Sequence, residues 1–426
     1  MTFLTSLNHK KNKLYILNFL FFMIGFSIPF SRAFNSICIG LLFLYSFIWF
    51  KKNSFISLFE SRFNLYLLFL IYFIIQILGV FYSDDVNGGF NYLKKNIVFL
   101  ILPIAFINVS KILDYTKVKL SIYGLVASVT IILLSIHVNV LSKILSSGLG
   151  LETLFTEFVR VDFVQRGLVE IHPPYFGLLV VFSIVAVLAL KLFKNQISTN
   201  VIRYSLAAYF IFSLYGISSF MAVVLLGVLF LFYTFILFKR KKLKTLFLIY
   251  TLLLLSIFTI FSFLNLNEKN LDKFSGNTLI GRVVWSFYKG KGDTSRPENW
   301  KSVFMVVKDN LWFGIGSDGG VNYLQKYRSQ KSESFKNKYN AHNQYLETLL
   351  RHGMLGLIVF LWIIYRLAFN AKRSNSIIFT CFVIIFVISS MTESYLVRQI
   401  GLTFFTFFAL LFNAHYSFGF YRENNI

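Results

Sequence analysis

Charge is scarce in this chain, and negative charge is scarcest. Only 14% of its 426 residues are charged, and 18 Asp and Glu stand against 42 Lys and Arg, for a net charge of +24. A soluble domain carries about 25% charged residues, so the composition excludes an ordinary water-soluble protein. Apolar residues take their place, since 56% of the chain is hydrophobic, 53 residues are Phe and the mean hydropathy is +0.66. The composition predicts an all-α membrane protein.

Cysteine and histidine are also rare. The two cysteines, Cys38 and Cys381, each lie inside an apolar run. Such cysteines are buried hydrophobic residues, which excludes a disulfide framework. The six histidines form no cluster with Cys or Asp at metal-ligand spacing. We therefore expect neither a metal site nor a cofactor.

Long apolar runs recur along the chain. A membrane-spanning helix needs about 20 apolar residues, and scanning for such runs predicts roughly twelve spans. They lie near 14–30, 34–50, 64–82, 96–109, 120–141, 175–192, 201–218, 220–238, 245–264, 353–369, 376–391 and 400–417. The predicted domains are an N-terminal membrane domain of about nine helices (1–264), one large hydrophilic loop (265–352), and about three C-terminal membrane helices (353–426).

The basic residues indicate the orientation of these spans. With a cytoplasmic N-terminus, half of the 42 Lys and Arg residues fall in the termini and cytoplasmic loops, a sixth fall in short loops on the opposite side, and the rest in 265–352. Positive residues favour the cytoplasmic side of short loops. Both termini are therefore predicted to be cytoplasmic and the large loop between helices 9 and 10 periplasmic. Because the basic residues are scattered over many loops, nucleic-acid binding is not expected.

The large loop carries recognisable local signals. Ser295-Arg296-Pro297-Glu298 is typical of a helix N-terminus with a capping box, and the helix should end near Asn310. The stretch Gly314 to Gly320 predicts a glycine-rich turn, either a structural connection or a cradle of backbone amides for an anion. Asn340-Ala341-His342-Asn343 then leads into the tenth span.

This loop combines a single His with basic residues and lacks paired acids at glycosidase spacing. Such a set suits a substrate that already carries a good leaving group, such as a pyrophosphate. Arg binds phosphate oxygens bidentately, and His accepts a proton from an attacking hydroxyl near neutral pH.

Several of these motifs together resemble the O-antigen ligase/polymerase superfamily of bacterial inner-membrane glycan transferases. The resemblance rests on Arg296-x3-Trp300, Phe313-Gly-Ile-Gly316, Ala341-His342-Asn343-x-Tyr345-Leu346-Glu347 and Gly353-x-x-Gly356. Weaker similarities are Tyr82-Ser83-Asp84 before Leu93-Lys94-Lys95, His172-Pro173-Pro174-Tyr175, Thr392-Glu393-Ser394 and Arg398-Gln399-x-Gly401.

The resemblance implies transfer of a glycan from an undecaprenyl-pyrophosphate donor to an acceptor hydroxyl at the periplasmic face, without a metal. Its catalytic His corresponds to His342 and its loop Arg to Arg296. Further candidates for binding the donor or glycan are Arg282, Arg398, His172 and Tyr345. The acceptor is lipid A core, a second glycan or a protein hydroxyl, and the sequence does not distinguish these.

The chain departs from the superfamily at the outer end of the eighth span. Members often have an Arg just after a Ser pair, but here Ser218-Ser219 is followed by Phe220 and Met221. Arg282, or else Arg398, is expected to replace that cation. Arg351 also stands where an acidic residue is common.

Two other classes of protein stay open. One is a transporter or flippase of lipid-linked glycans, although transporters place ionisable residues within their spans and these spans have few. The other is a non-catalytic membrane scaffold, to which the replacement at Phe220 gives some weight.

Overall fold

The computed structural model describes residues 2–50, 64–148, 172–190, 196–245, 250 and 295–423. Within these ranges every regular element is a helix, which confirms the all-α fold class. The α-helices are α1 (Thr2–Phe30), α2 (Arg32–Ser46), α3 (Asn64–Phe81), α4 (Val86–Asn96), α5 (Val98–Val109), α6 (Tyr115–Ser146), α7 (Pro173–Ala189), α8 (Gln196–Ile217), α9 (Phe220–Lys239), α10 (Ser295–Asp309), α11 (Val321–Lys326), α12 (Glu333–Lys336), α13 (Gln344–Ser374), α14 (Ile377–Ser389) and α15 (Gln399–Glu423). Short 3-10 turns lie at Phe47–Trp49, Ser110–Ile112 and Tyr395–Val397.

Six stretches are long and apolar enough to cross a membrane. They are Lys11–Phe30, Arg32–Trp49, Val86–Ile112, Tyr115–Ser146, Phe220–Lys239 and Gln344–Ser374, and shorter apolar helices cover Leu65–Phe81, Pro173–Ala189 and Ile377–Ser389. The multi-pass character is thereby supported, while the count of twelve stays a prediction. The predicted ninth span, 245–264, lies almost entirely outside the described residues.

The fourth span begins earlier than the sequence indicated. Apolar residues alone place its start near 96, with Lys94 and Lys95 in a loop, but the structure has a helix from Val86 that leads into α5. The Asp85 side chain starts this helix by accepting the Gly88 N–H at 2.9 Å. Both lysines are exposed on α4. Because one face of this helix is polar, its sequence contains no continuous apolar run.

The chain forms two compact units, one of which comprises Met1–Ile131, Val185–Asn200 and Asp293–Ile426. Its centre is α15, which is buried on every side from Gly401 to Ala414. A helix that is apolar all round belongs in an interior, and aromatic contacts fill this one, including Phe386 stacked on Phe405 at 3.8 Å. α5 packs against α2, α3 and α15, and α13 packs against α3.

The described part of the hydrophilic loop, from Ser295 onwards, belongs to the same unit. α10 runs to Asp309, close to its predicted end, and buries Val303, Val306 and Val307 against Ile315, Leu324 and Leu350. The loop therefore has a small apolar core of its own, continuous with the start of α13.

The second unit comprises Ile132–Ile184 and Val201–Gly292. Ser218 has a left-handed backbone (φ 52°), and the Ser219 side chain accepts the Ala222 N–H at 3.4 Å, so this Ser pair forms the two-residue connection that leads into α9. Gly177 of α7 lies against Ser219, where a Cβ would stand 3.0 Å from the Ser219 side chain. Phe220, the residue in place of the expected Arg, is 40% exposed.

Candidate functional site

His342 lies in the short segment that leads into α13. Its backbone is left-handed, with φ 45°, a conformation uncommon outside glycine. The Asn340 side chain accepts the His342 N–H at 3.0 Å, and Asn343 caps α13 by accepting the N–H groups of Tyr345 and Leu346 at 3.0 and 3.1 Å. Two Asn side chains therefore fix the backbone on either side of His342, just before the N-terminus of α13.

A buried carboxylate faces the His342 ring. Nδ1 of His342 lies 3.1 Å from Oε1 and 3.3 Å from Oε2 of Glu393. The Glu393 side chain is 5% exposed and that of His342 is 24% exposed. Because a carboxylate only accepts hydrogen bonds, it selects the tautomer with the proton on Nδ1 and leaves the lone pair on Nε2. This is the arrangement of a base whose orientation is set by a second group.

Glu393 reaches His342 because the segment after α14 docks onto the start of α13. Gln344 donates its N–H to the Ser390 carbonyl at 2.8 Å, and its side chain accepts the Leu396 N–H at 2.7 Å. The Ser394 hydroxyl accepts the Asn343 N–H at 3.3 Å. These bonds join stretches about fifty residues apart and fix the His342–Glu393 pair at the backbone level.

α10 brings Arg296 towards the same place. Trp300, one turn after Arg296, donates its indole N–H to the Ala341 carbonyl at 3.1 Å. Burial raises the pKa of Tyr395 above its ordinary value, and the Glu393 carboxylate adds to the rise while Arg296 opposes it. Arg296 therefore acts electrostatically on the segment that carries Glu393.

A second buried carboxylate supports the backbone of this site. Glu347 accepts the Ala341 N–H at 3.0 Å and forms an ion pair with Arg351 at 2.7 Å. Arg351 also donates to the Ser317 carbonyl and lies over the Tyr92 ring, 4.4 Å from its centre. The two residues are four apart on one helix face, which allows this pairing, and the Arg351 charge is neutralised within the protein.

The glycine-rich turn proves to be a structural connection. Its amides are used internally: those of Ile315, Gly316 and Ser317 donate to the carbonyls of Leu350, Arg351 and Gly79 at 2.9 to 3.0 Å. The Gly316 backbone has φ 104°, and an added Cβ would collide with Ser83. Amides consumed in this way are not presented to an anion, so the cradle alternative is not supported.

The other predicted binding residues are distributed more widely. Tyr345 donates its hydroxyl to the Val387 carbonyl at 2.9 Å, and Arg398 is exposed just after the 3-10 turn that follows Glu393. His172 begins α7 in the second unit, with its ring 5.0 Å from that of Tyr175. Arg282 lies outside the described residues.

Sequence reasoning missed the role of Glu393. It lies 51 residues after His342, and Thr392-Glu393-Ser394 was noted only as a weak similarity. The sequence did contain a signal for it, because Glu393 is a lone acidic residue between two strongly apolar runs. Among the described residues, no group of three or more His, Cys, Asp or Glu side chains is placed to hold a metal ion.

Comparison with known families bears on the stretch that contains this geometry. Residues 205–361 match the family model described as O-antigen ligase. The O-antigen ligase match includes Arg296, His342 and Glu347 and ends before Glu393, and it confirms the resemblance drawn from the motifs. It indicates a glycan transferase of the O-antigen ligase/polymerase type in a bacterial membrane, whose partners are in general a lipid-linked glycan and an acceptor. A search of curated proteins found no match for the chain.

Proposed function

We propose that this protein transfers a saccharide from undecaprenyl pyrophosphate to an acceptor hydroxyl at the periplasmic face, with His342 as general base. The observation that carries the proposal is the His342–Glu393 pair, which combines a partly exposed imidazole with a buried orienting carboxylate. The O-antigen ligase match over 205–361 supplies the class of reaction.

The proposed step requires one proton acceptor and one stabilised leaving group. The acceptor oxygen forms a bond to the anomeric carbon of the donor sugar while the bond from that carbon to the phosphate oxygen breaks. The hydroxyl proton passes to Nε2 of His342, and the pyrophosphate leaves with the bonding electrons. Glu393 keeps the ring in the accepting tautomer and stabilises the imidazolium that forms.

The leaving group needs positive charge more than it needs a proton. Arg296 is the proposed main contact, because a guanidinium binds phosphate oxygens bidentately. Arg282 is proposed to replace the cation missing at Phe220, or else Arg398, which is exposed on the segment that bears Glu393. Tyr345 and His172 are lesser candidates for contacts with the glycan.

The proposed setting is the bacterial inner membrane, with both termini cytoplasmic and 265–352 periplasmic. Ser329 is exposed, whereas Ser334 is completely buried, so Ser329→Cys is the suitable labelling variant. A membrane-impermeant thiol reagent should label it in intact cells with a permeabilised outer membrane. Labelling that requires lysis of the inner membrane would contradict this topology.

Transfer itself is testable with purified protein in nanodiscs. A polyprenyl-pyrophosphate-linked glycan is supplied with lipid A core, a second donor or a peptide hydroxyl, in EDTA. We expect product with one acceptor class, which separates ligase from polymerase and from protein glycosylation. Loss of transfer in EDTA would refute the metal-independent mechanism.

A further inference from the structure

The turn that follows α10 exposes three large apolar side chains. Leu311, Trp312 and Phe313 are 44%, 61% and 63% exposed. On the last turns of α10, Phe304 and Met305 are exposed as well. Contiguous exposed apolar residues on a hydrophilic loop mark an interaction surface.

The backbone of this turn is bonded to α13 where the apolar part of that helix begins. Met354 donates its N–H to the Leu311 carbonyl at 2.8 Å, and Leu355 donates to the Trp312 carbonyl at 3.3 Å. Gly353, with φ 61°, permits this approach, because a Cβ there would collide with the Trp312 backbone. These two hydrogen bonds therefore fix the position of the turn along the axis of α13.

The exposed side of α13 continues directly from this contact. Leu355, Ile358 and Trp362 are 42%, 45% and 55% exposed and follow one another at helical spacing. Since α13 is a candidate membrane span, apolar side chains exposed along it face lipid. Trp312 thus lies at the upper end of a lipid-facing stripe.

A second contact ties the turn to the end of α3. Tyr82 donates its hydroxyl to the Phe313 carbonyl at 2.7 Å. On α3, Ile74, Leu78 and Phe81 are exposed at spacings of four and three residues, and Phe81 is 80% exposed. The turn therefore joins the ends of two lipid-facing stripes on neighbouring helices.

We propose that Leu311, Trp312 and Phe313 form a wedge that inserts into the membrane leaflet on the side of the large loop. Its partners are lipid acyl chains and head groups. Trp is enriched at the membrane–water interface, and Lys308, exposed in the last turn of α10, suits the lipid phosphates.

The wedge places one end of α10 on the bilayer. A helix of 15 residues is about 22 Å long at 1.5 Å per residue, so Arg296 and Trp300 lie towards the opposite end. The inference rests on the packing of the loop against α3 and α13 and does not depend on the proposed chemistry.

Site-directed spin labelling tests the wedge in full-length protein in nanodiscs. Cys38 and Cys381 are first replaced by Ala, and a nitroxide is attached in Trp312→Cys or, separately, Phe313→Cys. Ile358→Cys serves as the lipid-facing control and Tyr327→Cys as the loop control, with matched exposures of 45% and 46%. Accessibility to oxygen, which concentrates in lipid, is compared with accessibility to a water-soluble nickel chelate.

At both wedge positions we expect an oxygen-to-nickel ratio severalfold above that at Tyr327 and similar to that at Ile358. A ratio like that of Tyr327 would show that the turn faces water and would overturn the proposal. Shielding from both reagents would show cover by protein, such as a second copy of this chain, and would overturn it equally.

Discussion

Two buried glutamates hold neighbouring residues of the chain, Ala341 and His342, but they differ in the charged group with which each one pairs. Glu347 binds the Ala341 N–H and pairs with Arg351, whose own side chain is 8% exposed. Glu393 faces the ring of His342, which is 24% exposed. The first carboxylate is matched by a permanent cation inside the protein, which favours a fixed shape. The second faces a partly exposed imidazole, which a substrate can reach.

The largest effect on turnover is expected for His342 itself. General-base catalysis contributes about 10²–10⁴-fold, so His342→Ala should reduce glycan transfer by about that factor. His342→Gln keeps the size and a hydrogen bond but lacks the basicity, and should fail similarly. Transfer is measured in nanodiscs, with donor binding and membrane insertion as controls that should remain nearly unchanged. Near-normal transfer by His342→Ala would remove the central residue of the mechanism.

Arg296→Lys should lose most transfer, because an ammonium lacks the bidentate fork. Arg351→Lys is the matched control on the Glu347 side. It should lower thermal stability, since it disturbs the ion pair and the stacking on Tyr92, while the folded protein still turns over. Equal turnover losses in the two variants would abolish the distinction between a substrate-binding and a structural arginine.

A replacement for the cation missing at Phe220 should be identifiable. We expect one of Arg282→Ala and Arg398→Ala to reduce transfer as much as Arg296→Ala. The three variants are compared at saturating and limiting donor, since loss of a phosphate contact also weakens donor binding. If neither substitution reduces transfer, the protein needs no replacement for the cation that Phe220 lacks.

Glu393→Gln is expected to have a smaller but distinct effect. The amide retains a hydrogen bond to the imidazole but no longer enforces its tautomer or stabilises the imidazolium. Loss of the group that orients a metal-bound histidine costs about 10–100-fold, and we expect an effect of that order here. Turnover should fall while the unfolding midpoint changes little. A stability loss without a turnover loss would make Glu393 a structural residue like Glu347.

Of these variants, Glu347→Gln should have the smallest effect on turnover. Its effect on stability should be larger than that of Glu393→Gln. Removing one partner of a buried ion pair typically costs about 3–5 kcal/mol, because the Arg351 guanidinium is left without its counter-charge. Denaturant titration in detergent should report that loss, with transfer normalised to folded protein. A turnover loss as large as that of Glu393→Gln would show that the two carboxylates are not functionally distinct.

Much of the fold followed from apolar runs because a membrane-spanning helix is defined by its own composition. α6, α9 and α13 contain the predicted spans. α4 was not predicted, because its exposed lysines interrupt the apolar pattern, although Asp85 before it is a typical N-cap residue. The segment that turns α10 towards α11 was recognisable from its glycines, but the use of their amides was not.

In the candidate site, local sequence was enough to place His342 and Arg296, since both lie in motifs with helix signals beside them. The spacing of Glu347 and Arg351 is likewise a local signal, because residues four apart share one helix face. Local sequence could not pair His342 with Glu393. That contact forms because the segment after α14 docks on Gln344. Local sequence patterns do not relate residues that lie so far apart in the chain.

The sequence alone determined that this protein is helical and membrane-bound, because composition and run length decide whether a segment is stable in lipid. It also determined which short motifs carry charge or turn geometry. Only the tertiary structure decided which buried carboxylate meets the imidazole and where Trp312 lies relative to α13. Those contacts depend on the packing of distant helices, which brings remote backbone groups within hydrogen-bonding distance.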